Sequence, residues 1–285
     1  MDNIPHCFTS VEAASGCIFL ASAFVGTLYL LPEGRLTRTI SRNHPRVILA
    51  RFKSVALVCV LGPAVVHGMF WLKAPSFREA GLRSQMALLA RWMGLYPVNI
   101  TSTVRSLLLS GTLYLGPIVA DAWDYMDGLP LNYDFTGLRA IRDYIVGPAA
   151  EEFVFRACMV PLALGAGWTT TATIFCVPLV FGVAHAHHMW ERYTQNGRTL
   201  DALKQSVLVS TFQFCYTTMF GWYSTFLFIR TGSVLAPVAS HMFCNVMGLP
   251  DFGRLTVRTW KDRAILGSFF AGLGSLVYLW LPLTE

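Results

Sequence analysis

The chain has 285 residues, 54% of them hydrophobic and 13% charged, with a mean hydropathy of +0.50 and a net charge of +6. Soluble domains carry about 25% charged residues, so this composition excludes an ordinary soluble core and points to an all-α, polytopic transmembrane helix bundle. The basic residues lie mostly in loops, where membrane lipid headgroups are the natural partner. No basic domain or aromatic stacking array suggests nucleic acid.

Apolar segments long enough to span recur along the chain, and about eight are expected. They fall at residues 13–31, 54–72, 106–123, 144–166, 168–189, 205–229, 232–249 and 264–283. The first has no basic residue ahead of it before Arg35, unlike a cleavable signal peptide, and reads as a retained helix. Met86–Tyr96 is apolar but short and interrupted by Arg91, which suits the interface or an extended third helix. Leu138–Ile145 is amphipathic and leads along the surface into the fourth segment. With the N-terminus in the lumen, the cytosolic loops at 32–53, 124–137, 190–204 and 250–263 carry 6, 0, 3 and 4 Lys/Arg. The lumenal stretch 73–105 carries 5, so the positive-inside rule favours this orientation. Asn99-Ile100-Thr101, on the lumenal side, is a glycosylation sequon. The seven cysteines form no C-x-x-C pair and mostly sit in apolar stretches, so neither disulfides nor a cysteine nucleophile are expected. Prolines 63, 117, 148, 178 and 237 fall within spans, where they are candidate kinks. No internal repeat supports an inverted-repeat transporter, and the whole chain, 1–285, reads as one domain.

Three of these segments carry polar groups that are expensive at membrane depth. The fourth contains Glu151, Glu152 and Arg156. Each such group costs roughly 2.5–3.5 kcal/mol near the centre of an inserted helix. Glu152 and Arg156 are four apart and share a face, so they can pair. Glu151 points about 100° away, which leaves it as the carboxylate available for a wet cavity and for general base work. The fifth segment carries Phe181, then His185 one turn later, then His187 and His188, with His188 on the His185 face. The seventh presents His241 and Asn245 on one face, both able to donate to an oxyanion. Structural readings stand beside these: a charge cluster that holds helices together, interfacial histidines at a helix end, and polar glue between helices. Glu151, His185 and His241 would also suit zinc with one open position. There is no H-E-x-x-H, however, and a metal-independent site is favoured.

The three patterns, E-E-x-x-x-R at Glu151, Glu152 and Arg156, F-x-x-x-H at Phe181 and His185, and H-x-x-x-N at His241 and Asn245, together resemble the type II CAAX prenyl endopeptidases. These are the Ras-converting endoprotease family of intramembrane glutamate proteases. The stretches Tyr144–Cys158, Phe181–His188, Phe226–Gly232 and His241–Asn245 are similar to the eukaryotic members. The resemblance is strong over 138–250, which would carry the catalytic motifs of a single integral-membrane protease domain.

The resemblance implies removal of the C-terminal tripeptide from farnesylated or geranylgeranylated CAAX proteins, such as Ras-like small GTPases, at the endoplasmic reticulum membrane. It implies that Glu151 with His185 activates water, and that His241 and Asn245 stabilise the oxyanion. Glu152, Arg156, Phe181 and His188 would support them, with no metal or other cofactor. A non-catalytic membrane scaffold or immunity-type protein of the same superfamily, or a proton-coupled transporter relaying through Glu151 and His185, remain the alternatives.

Overall fold

Helices are the only regular elements among the described residues, as hydrocarbon requires of a chain that must satisfy its backbone polar groups internally. The structure is a computed structural model that describes residues 3–37, 40–131, 133–251, 253 and 257–284. In chain order the helices are α1 (Ser10–Thr27), α2 (Pro45–Lys73), the short α3 (Pro75–Glu79), α4 (Leu82–Trp92), α5 (Ile100–Leu113) and α6 (Leu115–Met126). A continuous helical segment follows, α7 (Gly137–Ala140), α8 (Gly147–Glu152) and α9 (Met159–Gly165), joined by wide π-turns at Ile141–Val146 and Phe153–Cys158. Then come α10 (Thr170–Ala184), α11 (His187–Gln195), α12 (Leu200–Thr231), α13 (Leu235–Met247) and α14 (Trp260–Leu279).

Each of the eight apolar segments expected from sequence coincides with helix. By length and hydropathy, however, among the described residues only α1, α2 and the α10–α11 run (Thr170–Gln195) qualify as single spans, with the bent α5–α6 pair as a fourth and α13 short and apolar. The expected third span, 106–123, is two helices that turn by 73° at Tyr114. Pro117 accounts for the position of the break: it has no N–H for the Leu113 carbonyl four residues back, and its ring crowds that carbonyl. Pro63 and Pro178 sit inside α2 and α10 without ending them. Gly116 and Gly272 leave no room for a Cβ, which would run into the Phe269 ring and the Thr112 carbonyl respectively. Small residues let α14 close against α5 and α6 in this way.

The segment bearing the glutamates is the axis of the bundle. Val154, Phe155, Ala157, Cys158, Met159, Val160 and Leu162 are all buried, packed within the core that α1, α2 and α10 also build. Outward-facing positions are the reverse of a soluble protein: Val60, Leu208, Val277 and Tyr278 are more than two-thirds exposed. A surface of that kind is stable only against lipid. The chain is a multi-pass membrane protein. Met86–Tyr96 is occupied mainly by α4, whose Trp92 packs its ring 4.7 Å from that of Phe70. Asn99 is already committed locally, since its side chain caps α5 by accepting from Ser102 N at 2.9 Å.

Candidate active site

The Gly147-Pro148 pair begins the local geometry. In the first π-turn the Gly147 N–H donates to the Arg142 carbonyl, five residues back. That carbonyl lies so close that a Cβ at 147 would meet it at 2.8 Å, so glycine is required there. In the same register the next donor would be residue 148, and proline has none. The Asp143 carbonyl is therefore left to a side chain, and Asn245 Nδ2 of α13 donates to it at 2.8 Å. π-turns concentrate at functional sites because they aim groups that a regular helix would tie up.

Glu152 is wholly enclosed (0% exposed) and Arg156 almost so (1%). Arg156 Nη1 donates to Glu152 Oε1 at 3.0 Å, the pairing that the four-residue spacing predicts. The same oxygen is 2.7 Å from His241 Nδ1, and Ser224 Oγ of α12 donates to Oε2. Three donors from three helices thus converge on one carboxylate, which is what a buried charge needs. The Arg156 guanidinium also lies 4.5 Å from the centroid of the Phe181 ring, within cation–π range. Gly221 of α12 makes space for it: a Cβ there would come within 3.1 Å of Arg156 Nη2 and 2.6 Å of Pro178 Cβ.

A carboxylate can only accept, so Glu152 fixes the proton on His241 Nδ1 and turns Nε2 outward. Nε2 lies 3.9 Å from Glu151 Oε2. His241 therefore bridges the two adjacent glutamates, one as anchor and the other as neighbour. Nε2 accepts a proton when the ring is neutral and donates one when it is cationic. His185 is held in parallel fashion. Its Nδ1 donates to the Phe181 carbonyl at 2.9 Å and its ring stands edge-on to Phe181 at 4.7 Å, leaving Nε2 as the available nitrogen. Phe181 thus supports the site twice, under Arg156 and behind His185.

Glu151, His185, His241 and Asn245 all line one cavity of about 1510 Å³. Its walls are mainly apolar, with Phe226, Phe269, Phe270, Leu273 and Trp280 on the α12 and α14 side. Elsewhere His188 Nδ1 is 3.1 Å from Glu191 Oε2, while Arg51 Nη2 and Tyr29 Oη donate to Glu191 Oε1 at 2.6 and 2.8 Å. The spacing of His185 and His188 does bring their rings to 6.0 Å, but His188 is turned to this second carboxylate. His187, His188 and Glu191 have donor atoms within 4.8 Å of one another, whereas Glu151, His185 and His241 do not converge in that way. Glu191 already binds a guanidinium, a poor arrangement for a cation. Ser224, Gly221 and the Arg51–Glu191 pair carry no sequence signal of their own. They are ordinary residues whose partners lie tens of positions away.

Residues 135–247 match the family model described as type II CAAX prenyl endopeptidase Rce1-like. The human CAAX prenyl protease 2 is 34% identical over 98% of this chain and 82% of its own length. The chain belongs to the type II CAAX prenyl endopeptidase family. A probable CAAX prenyl protease 2 of Schizosaccharomyces pombe is 33% identical over 83% of this chain and 81% of its own. The Arabidopsis thaliana CAAX prenyl protease 2 is 30% identical over 96% and 89%. No solved structure matches the chain at a significant level. The family-model match ends at Met247 and takes in all three polar motifs, together with both π-turns.

Proposed function

We propose that this membrane peptidase cleaves prenylated CAAX proteins after the lipid-bearing cysteine and releases the last three residues. The observation that carries the reading is the placement of Glu151 beside His241 Nε2 at 3.9 Å, in a cavity whose remaining walls are largely apolar. A farnesyl or geranylgeranyl chain suits the Phe226, Phe269 and Trp280 side, and the peptide suits the polar side. The substrates are assigned to the Ras-like small GTPase class, and the site of action to the endoplasmic reticulum membrane.

In the proposed reaction, Glu151, assisted by His185, takes a proton from water as the oxygen attacks the scissile carbonyl. The carbonyl oxygen becomes an oxyanion. Cationic His241 donates to it from Nε2, and the second N–H of Asn245 donates beside it. Before attack the charges of Glu151, Glu152, Arg156 and His241 sum to zero, and after it the oxyanion carries the negative charge that Glu151 loses on taking the proton. Collapse of the intermediate breaks the C–N bond, and Glu151 returns its proton to the departing amine. Glu152, Arg156 and Phe181 hold His241 and His185 in place. The chemistry is assigned to these side chains without a metal. A chelator should therefore leave the rate of the purified protein unchanged, and loss of activity reversed by stoichiometric zinc would overturn that part.

The test is peptide release in proteoliposomes from a farnesylated CAAX peptide and its unprenylated counterpart. Mass spectrometry should find an intact tripeptide from the first only. Cleavage at another bond, or indifference to the lipid, would refute the reading.

A further inference from the structure

The cavity wall near the glutamates carries more positive than negative charge. Arg42, Arg51, Arg139 and Arg142 line it, against Asp143 and Glu151. Three of the arginines are accounted for. Arg51 is held by Glu191 at 2.6 Å and by the Gly34 carbonyl at 3.2 Å. Arg142 grips Asp143 through Nε at 2.7 Å and Nη2 at 3.0 Å. Arg139 shares Asp143 at 3.6 Å.

Arg42 is different. Its guanidinium makes no hydrogen bond or ion pair among the described residues, although its backbone is tied down: Arg142 Nη1 donates to the Arg42 carbonyl at 2.8 Å and Nη2 to Asn43 Oδ1 at 2.9 Å. The residue is placed, and the side chain is available. Arg42 is exposed on the cavity wall, and the neighbouring Arg142 and Arg51 guanidiniums repel its charge, opposed by Asp143 and Glu191. An anion arriving in the cavity would relieve this. Arg42 and Glu151 line the same cavity, which puts the guanidinium and the glutamate in one space.

We propose that Arg42 binds the terminal α-carboxylate of the substrate, so that the cavity reads how many residues follow the cleaved bond. The inference rests on the prenyl-peptide reading above. Three extended residues span about 10 Å, so a carboxylate that distance beyond the scissile bond remains in the same cavity. A guanidinium meets a carboxylate through two parallel N–H bonds, which fixes direction as well as charge. With the lipid held at the apolar end and the carboxylate at the other, the scissile carbonyl is set in register over Glu151.

The test uses the full chain in phosphatidylcholine vesicles and two farnesylated peptides of one sequence, one ending in a free carboxylate and one in a carboxamide. Wild-type protein should favour the acid by roughly 10- to 100-fold in kcat/KM, the range of a charge-assisted hydrogen bond. Arg42→Gln should bring the two peptides to within about two-fold of each other by raising the KM of the acid, and Arg42→Lys should keep part of the preference. Wild-type protein that cleaves both equally overturns the inference and leaves the functional reading standing. An Arg42→Gln variant that loses activity equally on both peptides, and so retains the wild-type ratio, also overturns it and makes the guanidinium a headgroup or scaffold contact. Wild-type protein that cleaves neither refutes the functional reading, and this inference with it.

Discussion

Replacing Glu152 by Gln separates charge from shape at the centre of the bundle. Gln Oε1 can still accept from His241 Nδ1 and Arg156 Nη1, which now lie 2.7 and 3.0 Å from Glu152 Oε1. Its amide can donate to Ser224, whose hydroxyl rotates to accept. The negative charge is lost, and Arg156, 1% exposed, becomes a buried cation without its hydrogen-bonded counter-ion. Breaking a buried pair from one side costs about 3–5 kcal/mol. Arg156→Met keeps most of the stem volume and leaves Glu152 with two donors, His241 and Ser224, so its cost should be smaller, about 1–3 kcal/mol. In the double variant neither charge is stranded. Its loss should fall short of the sum of the single losses by about 2 kcal/mol or more. Reversible unfolding in mixed micelles, titrated with SDS, measures all four corners of this cycle. Additivity within about 0.5 kcal/mol would show that the pair is not coupled and would refute the electrostatic argument.

Other outcomes follow from the same geometry. Asn245→Ala should lower kcat about 10²–10³-fold if its second N–H meets the oxyanion. A raised KM with kcat intact would reduce it to an anchor on the Asp143 carbonyl. Gly221→Ala pushes a methyl toward Pro178 Cβ and Arg156 Nη2, at 2.6 and 3.1 Å. It should cost about 1–3 kcal/mol of stability as overpacking, measurable by the same SDS titration, and an unchanged midpoint would show that α12 moves away freely. Phe181→Leu should remove the ring under Arg156 and slow turnover while the protein still inserts. Wild-type kinetics would show that neither the cation–π contact nor the edge contact to His185 matters.

The sequence made some of this legible because the relevant spacings are local. Glu152 and Arg156 are four apart on one helix, and His185 follows Phe181 by one turn. A charge placed in an apolar run stands out without any structure. What a single sequence hid was long-range or depended on backbone register. Nothing near Glu152 announces Ser224 or His241, 72 and 89 positions later. The Glu152–Arg156 pair is one part of a larger arrangement, in which the same carboxylate also orients the His241 imidazole.

The first π-turn had a signal, Gly147-Pro148, but proline in a span reads first as a kink. Pro117 beside Gly116 likewise marked the α5–α6 break, yet Pro63 in α2 shows that proline alone does not decide it. Composition gave a membrane bundle, but segment lengths could not say which helices cross. α12 is 32 residues long and interleaves Lys204, Gln205 and Gln213 with apolar side chains. The arginine-rich wall was visible only in part: Arg139, Arg142 and Asp143 lie together in the amphipathic stretch, but Glu191, the partner of Arg51, is 140 positions away.

The most direct measurement is tripeptide release by Glu151→Gln beside wild type, on a farnesylated CAAX peptide in proteoliposomes. The amide matches the carboxylate in size but cannot take a proton from water. The account predicts an intact tripeptide from the wild type and none above background from the variant, with both unfolding at the same SDS concentration. Release by Glu151→Gln at near wild-type rate would contradict it and remove Glu151 from the chemistry.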